Sequence, residues 1–118
     1  MRHKNELEER TWGFALRVIR FVAALPKGRI GDVLGRQLLR SGTSIGANYR
    51  EANRAESRRD FIHKIAIVEK EAAETQYWLS LLNEIEAGSP KERNWLLRES
   101  TELLAIFTTA GKSSKKKG

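Results

Sequence analysis

The sequence contains no cysteine, only two prolines and only two histidines among its 118 residues. Without cysteine the chain has no disulfide, no thiolate metal ligand and no cysteine nucleophile. The two histidines, His3 and His63, lie far apart along the chain, which disfavours a histidine metal site. These absences predict a protein that binds no metal or cofactor, and they argue against an enzyme.

Long apolar runs are absent as well. No uninterrupted run approaches the roughly 18 residues that a membrane span needs, and the first residues lead into a charged segment instead of an apolar signal region. We therefore expect a soluble, cytoplasmic protein that contacts no membrane and takes no small-molecule substrate. A chain of 118 residues holds one domain with a modest core.

The few glycines and prolines cluster where the apolar periodicity stops, and they divide the chain into four helical segments. The predicted helices run from about Asn5 to Ala24, from Gly31 or Asp32 to about Glu56, from the Ser57 cap to Gly88, and from the Ser89 cap to Gly111. Ser57 and Ser89 each open a capping box, with Asp60 and Glu92 three residues on. The sequence predicts an all-α fold, an antiparallel up-and-down four-helix bundle over residues 1–110, followed by a flexible basic tail over 111–118.

The second helix combines a thin core stripe with a glycine flank. Winding at about 100° per residue places the core stripe at Leu34, Leu38, Ser41, Ile45, Asn48 and Ala52. Gly35, Gly42 and Gly46 fall together about 80° away, and each costs about 1 kcal/mol of helix propensity relative to alanine. We expect another helix, from this chain or a neighbouring subunit, to approach closely at this flank.

The side opposite the core stripe carries a row of basic residues, which on one continuous helix would extend about 33 Å. Its members are Arg36, Arg40, Arg50, Arg54 and Arg58. The positive charge is one-sided: residues 10–59 contain eleven basic and three acidic residues, and 61–110 contain five basic and eight acidic ones. The net charge is +7. Because no aromatic residue interleaves with the arginines along the helix, the row predicts phosphate contacts without base stacking.

A row of this kind has a simpler interpretation, a solvated helix face that forms salt bridges to glutamates of the third helix. The tail would assist any nucleic-acid contact through Lys115, Lys116 and Lys117.

A second group of polar residues lies near the predicted core and is expected to fix helix pairing. This structural polar core comprises Asn48, Glu51, Glu71, Tyr77 and Trp78. A competing interpretation is an acid–base or metal site formed by Asp60, His63, Glu71 and Glu74. The Asp-x-x-His spacing occurs in di-iron bundles, but those need two such motifs and further inward glutamates.

Two runs carry a family resemblance: residues 44–51 read Ser-Ile-x-x-Asn-x-x-Glu, and 71–79 read Glu-x-x-Glu-Thr-x-Tyr-Trp-Leu. They resemble the bacterial four-helix-bundle proteins of the 23S rRNA intervening-sequence family, which are related to accessory proteins of diversity-generating retroelements. The resemblance implies an antiparallel bundle that assembles into a ring of five subunits. It implies no catalytic residue, and for the retroelement accessories it implies a basic surface that engages nucleic acid and a reverse transcriptase.

The leading hypothesis is a non-enzymatic homo-oligomer, a pentamer if the resemblance holds, that binds RNA or other nucleic acid through the five arginines of the second helix. Assembly would also cover a second apolar stripe on the first helix, formed by Trp12, Leu16 and Ile19. The alternative is a protein-interaction scaffold whose basic row docks an acidic protein partner, such as a reverse transcriptase or another nucleic-acid enzyme, without contacting RNA.

Overall fold

The computed structural model describes residues 5–116, which form four α-helices joined by short turns. The helices are α1 (Glu6–Ala23), α2 (Arg29–Ala52), α3 (Arg58–Glu84) and α4 (Pro90–Lys116). Each helix packs along the next one in the chain, and α1 also lies beside α4 but approaches it less closely. The predicted all-α four-helix bundle is confirmed. Over the residues described, no helix is both long enough and apolar enough to cross a membrane.

The core is formed by one apolar stripe from each helix, at the three-and-four spacing that an amphipathic helix requires. Burial of these stripes from water is the main force that holds the helices together. The largest fully buried side chains are Phe14, Phe107, Leu38, Ile45, Ile65, Leu79, Leu82, Leu96, Leu103, Val18, Val68 and Thr11.

Half of each predicted capping box is present. The Ser57 hydroxyl accepts a hydrogen bond from the Asp60 amide at 3.0 Å, and the Ser89 hydroxyl accepts one from the Glu92 amide at 3.3 Å. The Glu92 carboxylate does not turn back to the cap, because it accepts hydrogen bonds from the Arg17 guanidinium instead. The sequence pattern therefore marks where α3 and α4 begin.

The predicted end of the second helix near Glu56 is wrong, because α2 ends at Ala52 and the chain turns over residues 53–57. The turn contains neither glycine nor proline. It begins with tightened i to i+3 bonds, such as the one from the Arg54 amide to the Glu51 carbonyl at 3.0 Å. The Ser57 cap then opens α3, so capping and a tightened last turn replace the missing helix breaker.

The helix end predicted at Gly111 is also wrong, because α4 continues through this glycine to Lys116. A β-carbon at Gly111 would make only ordinary contacts, so no close packing requires a glycine there. Two hydrogen bonds stabilise the last turn of α4. The Ser114 hydroxyl donates to the Ala110 carbonyl at 2.9 Å, and the Arg58 guanidinium donates to the Ser114 carbonyl at 3.5 Å. Residues 117 and 118 of the predicted tail, including Lys117, lie outside the described residues.

The glycine flank of α2 faces α1 of the same chain. A β-carbon added at Gly42 would lie 3.0 Å from a methyl group of Val18, and one at Gly46 would lie 3.0 Å from the Thr11 hydroxyl. At Gly35 the nearest atom would be a methyl group of Leu25, at 3.2 Å. The predicted close approach therefore occurs within one subunit.

A buried arginine holds the turn between α3 and α4. Arg93 is 5% exposed, and its guanidinium donates to the Asn83 side chain at 2.9 Å and to the carbonyls of Ala87 and Gly88 at 2.7 and 3.1 Å. The cation also lies at the carboxyl end of α3, where the helix dipole favours positive charge. Arg93 therefore satisfies three acceptors that few other side chains could reach together.

Replacing Gly42 with alanine should lower the free energy of unfolding by about 1 kcal/mol, because the stiff β-branched Val18 cannot retreat from the new methyl group. The matched control is Gly13→Ala in α1, where a β-carbon meets nothing within 4 Å. That change should stabilise the protein by up to about 1 kcal/mol through helix propensity. Urea unfolding measures both values. Equal stabilisation by the two substitutions would contradict the close approach of α1, whereas rescue of Gly42→Ala by Val18→Ala would support it.

Arg93→Met should lower the free energy of unfolding by about 3 kcal/mol, because it leaves the three acceptors without a donor. Arg98→Met serves as the control, since Arg98 is exposed on the same helix, and its effect should stay within about 0.5 kcal/mol. Thermal and urea unfolding followed by circular dichroism measure both. A loss for Arg93→Met no larger than for the control would show that Arg93 does not hold this turn.

Candidate nucleic-acid interface

The five predicted arginines do not lie on one helix. Arg36, Arg40 and Arg50 belong to α2, Arg54 lies in the following turn, and Arg58 is the first residue of α3. The single 33 Å row is therefore corrected to a row of about 21 Å on α2 and a separate group at the end of the bundle. Whether these side chains bind nucleic acid stays a prediction.

Arg40 is drawn toward α3. Its guanidinium pairs with the Glu74 carboxylate and lies 3.6 Å from that of Glu71, and it also donates to the Gln37 side chain at 3.0 Å. A hydrogen bond from the Trp78 indole, assisted by Arg40, holds the pKa of Glu74 below its usual value. Glu74 thus stays ionised, and Arg40 is already neutralised, as the simpler interpretation of the row expects.

Arg50 leans to the other side, toward α1. It is 60% exposed at its side chain, lies 3.7 Å from the Glu8 carboxylate and sits 5.9 Å from the centre of the Trp12 ring. The sequence showed no aromatic residue along the arginine row, but the fold brings Trp12 to it from another helix. Only the packing of α1 against α2 creates this neighbourhood, so reading α2 alone missed it.

The remaining arginines have no carboxylate partner among residues 5–116. Arg36 and Arg54 are exposed, and Arg58 donates only to the Ser114 carbonyl, at 3.5 Å. This last contact brings the end of α4 beside the start of α3. The exposed basic residues at this end of the bundle, which we call the basic end, are Arg54, Arg58, Arg59, Lys112, Lys115 and Lys116.

Other basic residues of the bundle are neutralised along the seam between α1 and α4. Arg10 pairs with Glu99 at 2.6 Å and with Glu102 at 2.8 Å. These bonds, chiefly the one to Glu99, raise the pKa of Arg10. Arg17 pairs with Glu92 at 2.9 Å. Its guanidinium also lies 3.5 Å from the centre of the Trp95 ring, which makes a cation–π contact. The carboxylates of α4 are thus occupied on the side away from the α2 arginines.

The predicted polar core is only partly buried. Asn48 is half-buried and donates to the Ser44 carbonyl at 2.9 Å, whereas Glu51 and Tyr77 lie on the surface, with Tyr77 57% exposed. Burial in the core would have removed the water that hydrates the Glu51 carboxylate. The carboxylate lies at the surface instead, 3.9 Å from the Lys64 ammonium group.

The polar contact that links α2 and α3 inside the core involves two other residues. The Thr75 hydroxyl donates to the Ser41 hydroxyl at 2.9 Å, and both side chains are fully buried. Both residues fall on the apolar stripes of the sequence, but their pairing depends on the register between the helices. Glu71 and Trp78 are half-buried beside Arg40 and Glu74.

The acid–base or metal interpretation receives no geometric support from residues 5–116, among which no group of three or more histidine or acidic side chains could hold a metal ion. Glu71 and Glu74 face Arg40, and His63 is exposed near the start of α3.

A groove with a volume of about 530 Å³ runs along the outer face between α1 and α2. Trp12, Leu16 and Ile19 form its α1 wall, and Gly46 and Ala47 form part of its α2 wall. Few side-chain atoms fill the groove, because its α2 wall contains a glycine and an alanine. The apolar stripe that the sequence placed beside the core stripe of the first helix therefore lines a concave surface.

Comparison with known proteins finds one family and a solved structure to which the chain is similar. A solved structure from Bacteroides thetaiotaomicron VPI-5482, a protein of unknown function from the S23 ribosomal protein family, is 40% identical. The similarity covers 89% of this chain and 97% of that chain, with a TM-score of 0.81. No curated protein matches the sequence. The family model for the 23S rRNA-intervening sequence protein matches residues 3–109, so the chain belongs to the 23S rRNA-intervening sequence protein family.

Proposed function

We propose that this protein is a non-enzymatic homo-oligomer that binds RNA or other nucleic acid through arginines that have no carboxylate partner. The distribution of ion pairs carries the proposal. Glutamates of α3 and α4 neutralise Arg10, Arg17 and Arg40, whereas Arg36 and the basic end face water without acidic neighbours in contact. A charge that is left unpaired at the surface is available to phosphates.

The chemistry of these side chains fits a polyanion. Guanidinium groups bind phosphate through a planar fork and are more weakly hydrated than ammonium groups. Contacts of this type do not depend on base sequence and weaken steeply with salt. In an oligomer the same surface is repeated, so that weak individual contacts add as multivalency. We therefore assign the proposed contacts to Arg36 and to the basic end, and no longer to the middle of α2, where Arg40 is paired.

Substituting three unpaired arginines should weaken RNA binding by at least tenfold. The variant is Arg36→Gln, Arg54→Gln and Arg58→Gln together, and its affinity for a labelled RNA of about 30 nucleotides is measured by fluorescence anisotropy over a range of salt. The slope of log K against log salt should fall by about 2, since each phosphate contact contributes about 0.7 on a single strand.

The matched control removes the same charge elsewhere, through Arg20→Gln, Lys91→Gln and Arg98→Gln, all exposed on α1 and α4. It should change the affinity less than threefold. Equal losses for the two triple variants would show that only net charge matters, and an absence of RNA binding by the unmodified protein at about 50 mM salt would overturn the proposal. In that case docking of an acidic protein partner from nuclease-treated lysate, lost in the first triple variant, would favour the alternative.

Light scattering on the purified chain should give a mass about five times that of one chain, which is the number that the family resemblance implies. The physical reason for assembly is the exposed apolar stripe of α1, in which Trp12 is 60% and Ile19 is 43% exposed. The mass of a single chain at micromolar concentration would contradict the oligomeric part of the proposal. The part that concerns RNA binding would still be tested independently by the anisotropy measurements.

A further inference from the structure

Polar contacts cross the outer seam between α3 and α4 at a regular interval. The Gln76 side chain donates to the Thr101 hydroxyl at 2.8 Å, and the Thr108 hydroxyl donates to the Glu69 carboxylate at 2.9 Å. On each helix the two contacts are seven residues apart, which is about two turns. They show which edges of the antiparallel helices face each other. The same spacing places the next contact two turns further along, near the end of α4.

That position contains two cations instead of a matched pair. Lys115 lies seven residues after Thr108 on α4, and Arg58 lies eleven residues before Glu69 on α3, which is about three turns. Winding therefore places both cations on the facing edges. The Arg58 guanidinium donates to the Ser114 carbonyl at 3.5 Å, so it reaches the end of α4. The two like charges repel each other, and an anion bound between them would complete the seam.

The surroundings of this pair are basic as well. Lys112 precedes Lys115 by three residues and is its neighbour on the surface of α4. The remaining cations of the basic end are Arg54, Arg59 and Lys116. These six side chains come from three segments of the chain, namely the turn after α2, the start of α3 and the end of α4. They therefore form a compact group and not a row along one helix.

The carboxylates around the end of this seam do not balance the group. Asp60 and Glu51 each lie 3.9 Å from the Lys64 ammonium group, and Glu69 accepts the hydrogen bond across the seam. Glu56, in the turn before α3, is exposed and forms no ion pair within residues 5–116. A single unpaired carboxylate in this turn leaves most of the positive charge available to a ligand.

We propose that the end of the α3–α4 seam binds a run of contiguous phosphates, such as the 5′-triphosphate end of an RNA, between Arg58 of α3 and Lys112 and Lys115 of α4. The guanidinium offers a planar fork to one phosphate, and the two ammonium groups act as point charges for its neighbours. This inference rests on the proposed RNA binding and names the part of the RNA that the basic end takes.

The distribution of charge favours a terminus over a backbone that lies along the bundle. Arg36, the other proposed contact, is separated from the end of α2 by about 24 Å of helix. Between them Arg40 is already paired with Glu74, and Glu71 lies beside this pair. A backbone that followed α2 would therefore meet carboxylates as well as cations. Contiguous phosphates instead concentrate several negative charges in a small volume, which matches a compact group of cations.

A bound run of phosphates would also hold the end of α4 in place. Residues 111–116 contain no large apolar side chain, and their lysines, three and four residues apart, repel one another. The hydrogen bonds of Ser114 hold this segment against the repulsion. Phosphates that bridge α3 and α4 would replace the repulsion with attraction. The ligand should therefore stabilise the last turns of α4, since it binds them only when they are ordered.

The chemistry of the RNA terminus gives the direct test. Two RNAs of the same sequence, about 30 nucleotides long and labelled at the 3′ end, carry either a 5′-triphosphate or a 5′-hydroxyl group. Fluorescence anisotropy with the full-length protein should show at least tenfold tighter binding of the triphosphate RNA. In the double variant Arg58→Gln and Lys115→Gln this preference should fall below threefold, with unchanged helicity. Equal affinity of the unmodified protein for the two RNAs would overturn the inference and leave RNA binding itself intact.

Two control variants separate this site from an effect of net charge. Arg20→Gln with Lys91→Gln removes the same charge from exposed side chains at the opposite end of the bundle, and the tenfold preference should remain. Lys115→Arg keeps the cation and should keep the preference too. If the Arg20 and Lys91 variant loses the preference as fully as the Arg58 and Lys115 variant, the seam holds no phosphate site.

Competition by tripolyphosphate identifies the source of the phosphates. It should displace the triphosphate RNA at least tenfold more weakly than unlabelled triphosphate RNA does, because it lacks the backbone that reaches Arg36. Equally strong competition would assign the site to a free polyphosphate and overturn the RNA terminus as its ligand. Failure of both RNAs to bind would contradict the proposed function. Calorimetric binding of tripolyphosphate that depends on Arg58 and Lys115 would then still support the phosphate site.

Amide hydrogen exchange provides a readout that does not depend on affinity. Saturating triphosphate RNA should slow exchange over residues 111–116 at least threefold, while residues 94–100 in the middle of α4 serve as the internal control and should not change. The 5′-hydroxyl RNA at equal occupancy should protect residues 111–116 less. Unchanged exchange at residues 111–116 with the triphosphate RNA bound would overturn the placement of the phosphates between α3 and α4.

Discussion

The close contact between α1 and the glycine flank of α2 is the constraint on which the rest of the structure depends. Val18 and Thr11 sit against Gly42 and Gly46 so closely that an added β-carbon would lie only 3.0 Å from their side chains. Since these side chains of α1 are used for that contact, the next residues around the helix, Trp12 among them, point outward. The same glycines leave the outer surface between the two helices without side chains to fill it. The groove is therefore a direct consequence of how the core of the bundle closes.

The second organising feature is the allocation of charge. Where α1 and α4 approach less closely, the gap is bridged by long side chains, and the pairs of Arg10 with Glu99 and Arg17 with Glu92 hold this seam. Surface ion pairs contribute little to stability one at a time, generally under about 1 kcal/mol. Their larger effect is on which cations remain unpaired. Because the glutamates lie mainly on α3 and α4, the unpaired arginines remain on α2 and at the basic end.

The sequence predicts the fold well because the fold depends on local patterns. Apolar spacing, the serine caps at Ser57 and Ser89 and the scarcity of helix breakers give four helices and their order. The candidate interface is harder to predict from the sequence, for two reasons. The helix end was predicted near Glu56 instead of Ala52, which put Arg54 on the wrong element. Arg58 lies beyond even the predicted end, so including it in the row extended the winding of the second helix too far.

The second reason is that partners distant in sequence are set by packing. The contacts of Arg40 with Glu74 and of Arg50 with the Trp12 ring join residues of different helices, and each depends on the rotation and register of those helices. Periodicity places Arg36, Arg40 and Arg50 on one side of α2, with Arg40 and Arg50 rotated about 40° from Arg36 in opposite directions. It does not show that these rotations bring Arg40 to a pair of carboxylates and Arg50 to an aromatic ring. The glycine flank illustrates the same limit, because the pattern predicts a close neighbour and only the tertiary structure identifies it as α1.

Charge and assembly are also linked in the proposed oligomer. The unpaired arginines are repeated in every copy, and where copies bring them close they repel one another, which opposes assembly. The structure reduces the cost at Arg40, where Glu74 stays ionised because its pKa is lowered, so the compensation persists until the pH falls below the usual range of a glutamate. Arg36 has no such partner among the described residues. A bound polyanion would reduce the remaining repulsion, and by linkage a ligand that binds the proposed oligomer more tightly than the separate chains must also stabilise that oligomer.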